Sequence, residues 1–255
     1  MRSDKYDVKI LSQRWGSTPY GFLNENNPEE KKMKDAIIPP QLTRQPDVWI
    51  QITVPNEFQK IGKFNIGITA GIETDICTPQ FIEGCNNMDL IHGSSNHTKT
   101  VFEKTIYDKK DKAGILQGTV KLETKCEVLF EGLDLEKYFH IEPKDLPKTE
   151  LVSELDTIDE NFCFLFVGHW LQGDIGEDRK NVGLMIKTFL ETFKNKKSKP
   201  ALILKTMSGP ATIMDRDDIL KKIENVRKDI SGNLPNIYFL HGEVEDKDMN
   251  HLYNH

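Results

Sequence analysis

Hydrophobic and polar positions are patterned most legibly in the second half of the chain. FCFLFVG (162–168) is an apolar run closed by glycine, which predicts a parallel strand buried on both faces. A polar loop, HWLQGDIGED, and the triplet Arg179-Lys180-Asn181 follow it. Val182, Met185, Ile186, Phe189, Leu190 and Phe193 then recur at helical spacing. ALILK (201–205) reads as a second strand. A helix opening on Asp215 carries acidic residues in its first turn and Ile219, Leu220, Ile223, Val226 and Ile230 on one face, and Gly232 and Pro235 punctuate its end. NIYFLHG (236–242) reads as a third strand, and a last helix begins near Glu245 with Met249, Leu252 and Tyr253 on one side. The order β-α-β-α-β-α implies a parallel sheet with right-handed crossovers.

The first half has the same flavour. Its pattern predicts strands at 7–11, 47–52, 64–69, 89–93 and 127–130 and helices near 28–36, 79–87 and 95–107, with Asp108–Lys112 as an exposed turn or loop. The acidic stretch between Glu142 and Glu160, with two prolines and little apolar period, reads as the crossover between two domains. The expected architecture is therefore α/β, with Rossmann-like domains at 1–155 and 156–255. Two such domains facing each other would form a cleft between their strand ends, where open α/β sheets bind ligands.

Composition narrows the function classes. A formal net charge of -6 gives no reason to expect a nucleic-acid partner. No apolar run is long enough for a membrane span, and MRSDKYDVKIL lacks a signal-peptide core. Cys77, Cys85, Cys126 and Cys163 are scattered without a CxxC pair, which suits reduced thiols and a cytoplasmic location and speaks against zinc. Asn96-His97-Thr98 is a sequon that matters only in a secreted protein. Trp15 and Trp49 read as core or interface residues, and His92, His97 and His241 as structural ones.

A buried strand that leads through Arg179 and Lys180 into a helix N-terminus is a favourable place for phosphate. Arg179 offers a planar fork and Lys180 a point charge. Lys205 ends a strand on the same edge, either reaching the ligand or standing in solvent, and His169 either bonds a phosphate or caps a loop. Asp215-Arg216-Asp217 and Asp246-Lys247-Asp248 both fall in first helical turns, where carboxylates suit the dipole, so no metal is expected from them. Glu73 either acts at a strand end or caps the next helix, and Ser94, Ser95 and Asn96 read first as helix caps.

FVG, a variable loop, RKN and an amphipathic helix together resemble the start of the C-terminal domain of retaining GT-B glycosyltransferases (the group 1, family 4-like enzymes). PNIYFLHGEVEDKDMNHLY resembles that family's base-cradling strand, turn and helix, and ITAGIETD, CNNMDLIHGSSNHTKTVF and EVLFEGLD resemble its acceptor-side segments. The resemblance implies a two-domain GT-B fold whose second domain is incomplete. It also implies transfer of a sugar from a nucleotide-diphosphate-sugar donor to a glycan, lipid or protein acceptor, with retention and without a metal or other cofactor. A peripheral membrane contact stays open.

By this resemblance Gly168, His169, Arg179, Lys180, Lys205, Gly242, Glu243 and Val244 are donor-binding. Gly71, Ser95 and Asn96 lie on the acceptor side, and Glu73 is the nearest candidate for a catalytic group. His169 stands where the family has arginine, and the family's carboxylate pair is expected beyond His255, so the chain reads as an inactive fragment of a transferase. A catalytically silent nucleotide- or sugar-binding module is the alternative. A dinucleotide-dependent oxidoreductase would require Gly-x-Gly-x-x-Gly between strand and helix, and no such run occurs.

Overall fold

The computed structural model describes residues 5–13, 23–171 and 175–255. The chain is mixed α/β and divides into two compact units, Met1–Gly132 and Leu133–His255.

In the first unit, β1 (Ile10–Leu11) pairs in parallel with β2 (Ile37–Ile38), and α1 (Pro28–Asp35) lies between them in sequence. Its main sheet has the order β3-β4-β5-β8, formed in parallel by β3 (Val48–Ile52), β4 (Phe64–Thr69), β5 (Leu90–Gly93) and β8 (Cys126–Val128). The crossovers are α2 (Pro79–Cys85) and α3 (Asn96–Lys104). One core gathers Phe58, Ile82, Cys85, Ile91, Val101 and Phe102, whereas Val48, Ile50, Ile52 and Phe64 are exposed. Between α3 and β8 the chain makes an antiparallel hairpin, β6 (Ile106–Lys110) and β7 (Leu116–Lys121). Asp108 to Lys110 thus belong to a strand instead of the expected turn or loop. The reversal sits at Asp111–Gly114, where the Asp111 carboxylate accepts the backbone N–H groups of Ala113 and Ile115.

The second unit begins earlier than the expected boundary near 155. Its opening segment is tied to its last helix: the backbone N–H groups of Phe139 and Ile141 donate to the side chains of Asn250 and Asn254. α4 (Glu150–Leu155), capped by Thr149, buries Leu155 in a small core with Ile203 and Leu252. The stretch taken for a bare crossover is therefore part of the folded unit.

β9 (Cys163–His169), α5 (Val182–Phe193), β10 (Ala201–Met207), α6 (Ile213–Arg227), β11 (Ile237–Leu240) and α7 (Asp246–Asn254) follow in the expected alternation. The sheet is parallel with the order β11-β10-β9. β10 is its centre, buried from Ala201 to Thr206. Leu202 and Leu204 face the α5 and α6 core with Ile186, Leu190, Ile219 and Ile223, and Ile203 faces the opposite core. β9 contradicts the expectation of a strand buried on both faces. It is an edge strand, and Phe164, Leu165 and Val167 are all exposed. Its apolar run packs Phe164 against Phe189 and Phe193 of α5, so hydrophobicity there serves one helix contact and not a central position.

Leu204 is fully buried between two parallel neighbours. Leu204→Ala should lower stability by about 2–5 kcal/mol through lost transfer energy and the cavity left behind. Urea unfolding followed by circular dichroism checks this.

Candidate functional site

Polar groups of the second unit converge on the carboxyl edge of its sheet. His169 ends β9, and its Nδ1 lies 3.2 Å from the carbonyl of Met207 on β10. The parallel β9–α5–β10 crossover returns α5 to start on this same edge. Arg179 and Lys180 precede α5 as exposed side chains. Asn181 enters the helix with φ 51°, in the left-handed region that asparagine tolerates better than most residues.

Asp178, not a foreign anion, meets the amides leading into α5. Its buried Oδ1 accepts the backbone N–H groups of Lys180 and Val182, each at 3.1 Å. Its Oδ2 is buried without a hydrogen-bond partner. The same carboxylate lines a hollow of about 110 Å³ with Trp170, Gly183, Lys222 and Asn225. The expected phosphate grip by helix amides is therefore partly taken by the chain itself, and Arg179 and Lys180 are what remains open to an anion.

Lys205 also differs from a strand-end lysine in solvent. The residue is buried, and its ammonium donates to the carbonyl of Gly242 at 2.5 Å. Burial pushes its pKa below the ordinary lysine value, with Glu243 pulling the other way. Gly242 has φ +106°, a conformation that favours glycine and lets the chain turn straight from β11 towards α7. Glu243 is exposed and Val244 half-buried beyond it. Gly168 sits within β9, where an added Cβ would meet only the Phe166 ring at 3.1 Å.

The cluster that sequence reasoning missed is Ser208, Asp215 and His241. Asp215 is the hub. It accepts from the hydroxyl and backbone N–H of Ser208 and faces Nε2 of His241 at 2.8 Å, while Thr212 caps its own backbone N–H at 3.1 Å. Burial alone would raise the Asp215 pKa, but the bonds from Ser208 and His241 outweigh it and hold the group below its ordinary value. Both Asp215 oxygens are engaged in this way, and Asp217 is exposed. Among the described residues no group of three His, Cys, Asp or Glu is placed to hold a metal. The only signal in the sequence was position: Ser208 and His241 each lie just past a strand.

In the first unit, the carboxyl ends of β4 and β5 are joined by side-chain contacts. Gly71 has φ +126°, and a Cβ there would lie 2.8 Å from the Ser94 hydroxyl and 2.9 Å from that of Thr98. Ser94 donates to the carbonyl of Ala70, and Thr98 accepts the backbone N–H of Ile72 at 3.3 Å. Ser95 caps α3 through Thr98, as the capping reading expected, and Asn96 is the first helical residue. Glu73 is exposed in the loop that follows β4. Trp49 packs beside the core and donates to Gln51, whereas Trp15 lies outside the described residues.

The four cysteines are unpaired, and burial raises the Cys126 thiol to about 11 and Cys85 further still. No helix among the described residues is long and apolar enough to cross a membrane. A hollow of about 270 Å³ lies at the start of β9 and β10 beside Phe162, Phe164, Phe193 and Pro200. It is aromatic-walled and far along the strands from the polar edge.

Because the folded Asp215 carboxyl has a depressed pKa, its contribution to stability is present above its ordinary value of 3.8 and is lost as the pH falls through the folded value. The difference in unfolding free energy between the wild type and Asp215→Asn should therefore narrow as the pH drops below 3.8. Denaturant unfolding across an acid pH series measures it, and a difference independent of pH would remove Asp215 as an ionised hub. No protein-family model matches this chain, and no curated protein or solved structure shows significant similarity to it.

Proposed function

We propose that the second unit binds the diphosphate of a nucleotide-activated sugar at the carboxyl edge of its sheet. In this reading the chain belongs to a sugar-transfer reaction of the retaining GT-B type. One observation carries it: three parallel strands end together, with His169, the Gly242 turn and the cationic lead into α5 all on the edge where they end. That edge is where open parallel sheets take phosphorylated ligands.

Each residue has a role that its chemistry suits. Departure of a nucleoside diphosphate from a sugar leaves developing negative charge on phosphate oxygens, and the sugar carbon gains oxocarbenium character. Arg179 and Lys180 supply charge-assisted hydrogen bonds to that leaving group. With Asp178 occupying the amides of Lys180 and Val182, side-chain cations carry the electrostatics. His169 ends β9 where the strand gives way to the loop, its ring held at the Met207 carbonyl. Gly242, Glu243 and Val244 form a turn fixed from below by Lys205, suited to holding the nucleobase through its backbone. The acceptor falls to the first unit, where Gly71 and Glu73 follow β4 and Ser95 and Asn96 open α3.

Titration calorimetry with uridine, adenosine and guanosine diphosphates tests the reading. One of the three should bind, and Lys180→Ala should weaken it at least roughly tenfold, about 1.4 kcal/mol. Unchanged affinity in the variant would remove Lys180 from the grip, and failure of all three ligands to bind would end the proposal.

A further inference from the structure

We propose that His241, held by Asp215, is the proton-accepting group of this edge and takes up a proton when a nucleoside diphosphate binds. The inference rests on the ligand class proposed above and deepens it. The geometry begins with the carboxylate. An ionised carboxylate only accepts hydrogen bonds, so the 2.8 Å contact from Asp215 Oδ2 fixes the hydrogen on Nε2 of His241. The lone pair is thereby placed on Nδ1. That nitrogen has no protein partner among the described residues, yet it is not a buried unpaired atom. The His241 side chain keeps 13% of its surface exposed, while the Asp215 side chain keeps 8%. A buried acid thus orients a ring whose second nitrogen is not sealed from solvent.

The surroundings favour a switch in charge. Asp215 is kept in place independently of the histidine, by the hydroxyl and backbone N–H of Ser208 and by the Thr212 cap on its own N–H. The charged groups facing the His241 turn are Asp215 from α6, Lys205 from β10 on the carbonyl of Gly242, and Glu243 on the turn itself. The Phe239 ring packs against the imidazole at 5.6 Å. Without ligand, one carboxylate is the only hydrogen-bond partner of the ring among the described residues. A polyanion arriving at the edge adds negative charge on the open side of the ring and favours the imidazolium, which then donates from Nε2–H to Asp215 and from Nδ1–H to a phosphate oxygen. The proton comes from solvent, and no covalent bond to the ligand forms or breaks. His241 would then offer the departing diphosphate a positive charge made on demand, in addition to the fixed charges of Arg179 and Lys180.

The test uses the 255-residue chain and whichever of the three nucleoside diphosphates binds. Calorimetry at about pH 7.5, one unit above the ordinary histidine pKa, is repeated in phosphate-free buffers of different ionisation enthalpy. The wild type should take up a substantial fraction of a proton per ligand. His241→Gln should lose that uptake while still binding and still depending on Lys180. Nitrogen-15 NMR of the wild-type imidazole supplies a readout free of any folding defect: an Nε2–H tautomer alone, and a doubly protonated ring with ligand. Uptake that persists in His241→Gln, or imidazole signals that ligand does not move, would overturn the proton-accepting role while leaving nucleotide binding intact. Absence of binding by all three nucleotides would instead bring down the ligand class, and this inference with it.

Discussion

The enclosure of β10 governs the second unit. Its residues from Ala201 to Thr206 are shut off from water by a parallel neighbour on each side and by a helical layer on each face. A strand so placed has no room for a solvated charge along its length, because an unpaired charge in that setting costs far more than one hydrogen bond returns. Its polar residues, Lys205 and Thr206, come at the end of the buried stretch, where Lys205 reaches a backbone carbonyl, and Ser208, just past the strand, reaches a carboxylate. The chemistry at the carboxyl edge follows from where burial stops.

The first unit solves the same problem with amides and hydroxyls. Asn65 is wholly buried in β4, and its side chain is fully used: Oδ1 accepts the backbone N–H groups of Ile61 and Gly62, and Nδ2 donates to the Asp89 carboxylate. Gln51 does likewise on β3, donating to the carbonyl of Glu57 and accepting from the backbone N–H of Gln59. These two side chains pin the loop between β3 and β4 to the sheet. At the other end, Ser94 and Thr98 bind the backbone around Gly71, and Ser95 bonds to Thr98. Amides and hydroxyls thus secure both ends of this sheet, with the Asp89 carboxylate among their acceptors.

Period and punctuation made the elements legible. The strands at 64–69 and 201–205 and the helix after Asn181 appear where apolar spacing placed them, and Ser95 caps α3 as its position before a helical run implied. Three features were not legible, each for a physical reason. The β6–β7 hairpin is mostly exposed, so its sequence carries charges in place of an apolar alternation. The edge position of β9 depends on which strands pair with it, and an apolar run reads alike at an edge and in the centre. The Asp215–His241 contact joins residues far apart in the chain, and only the folding of α6 back along the sheet brings them together. Candidate residues that act through their place at a strand end were within reach of sequence; those that act through a partner were not.

Asp178 has a consequence for how the lead into α5 treats ions. With a resident carboxylate already bonded to two of its amides, this helix start is partly neutralised from within. Any anion docking there is drawn by Arg179 and Lys180, long exposed side chains whose fields pass through water. Such fields fade over about 8 Å at physiological ionic strength. Attraction at this point is thus set largely by the surrounding electrolyte: strong in dilute buffer, damped in concentrated salt, and greater for multiply charged ions than for chloride or acetate.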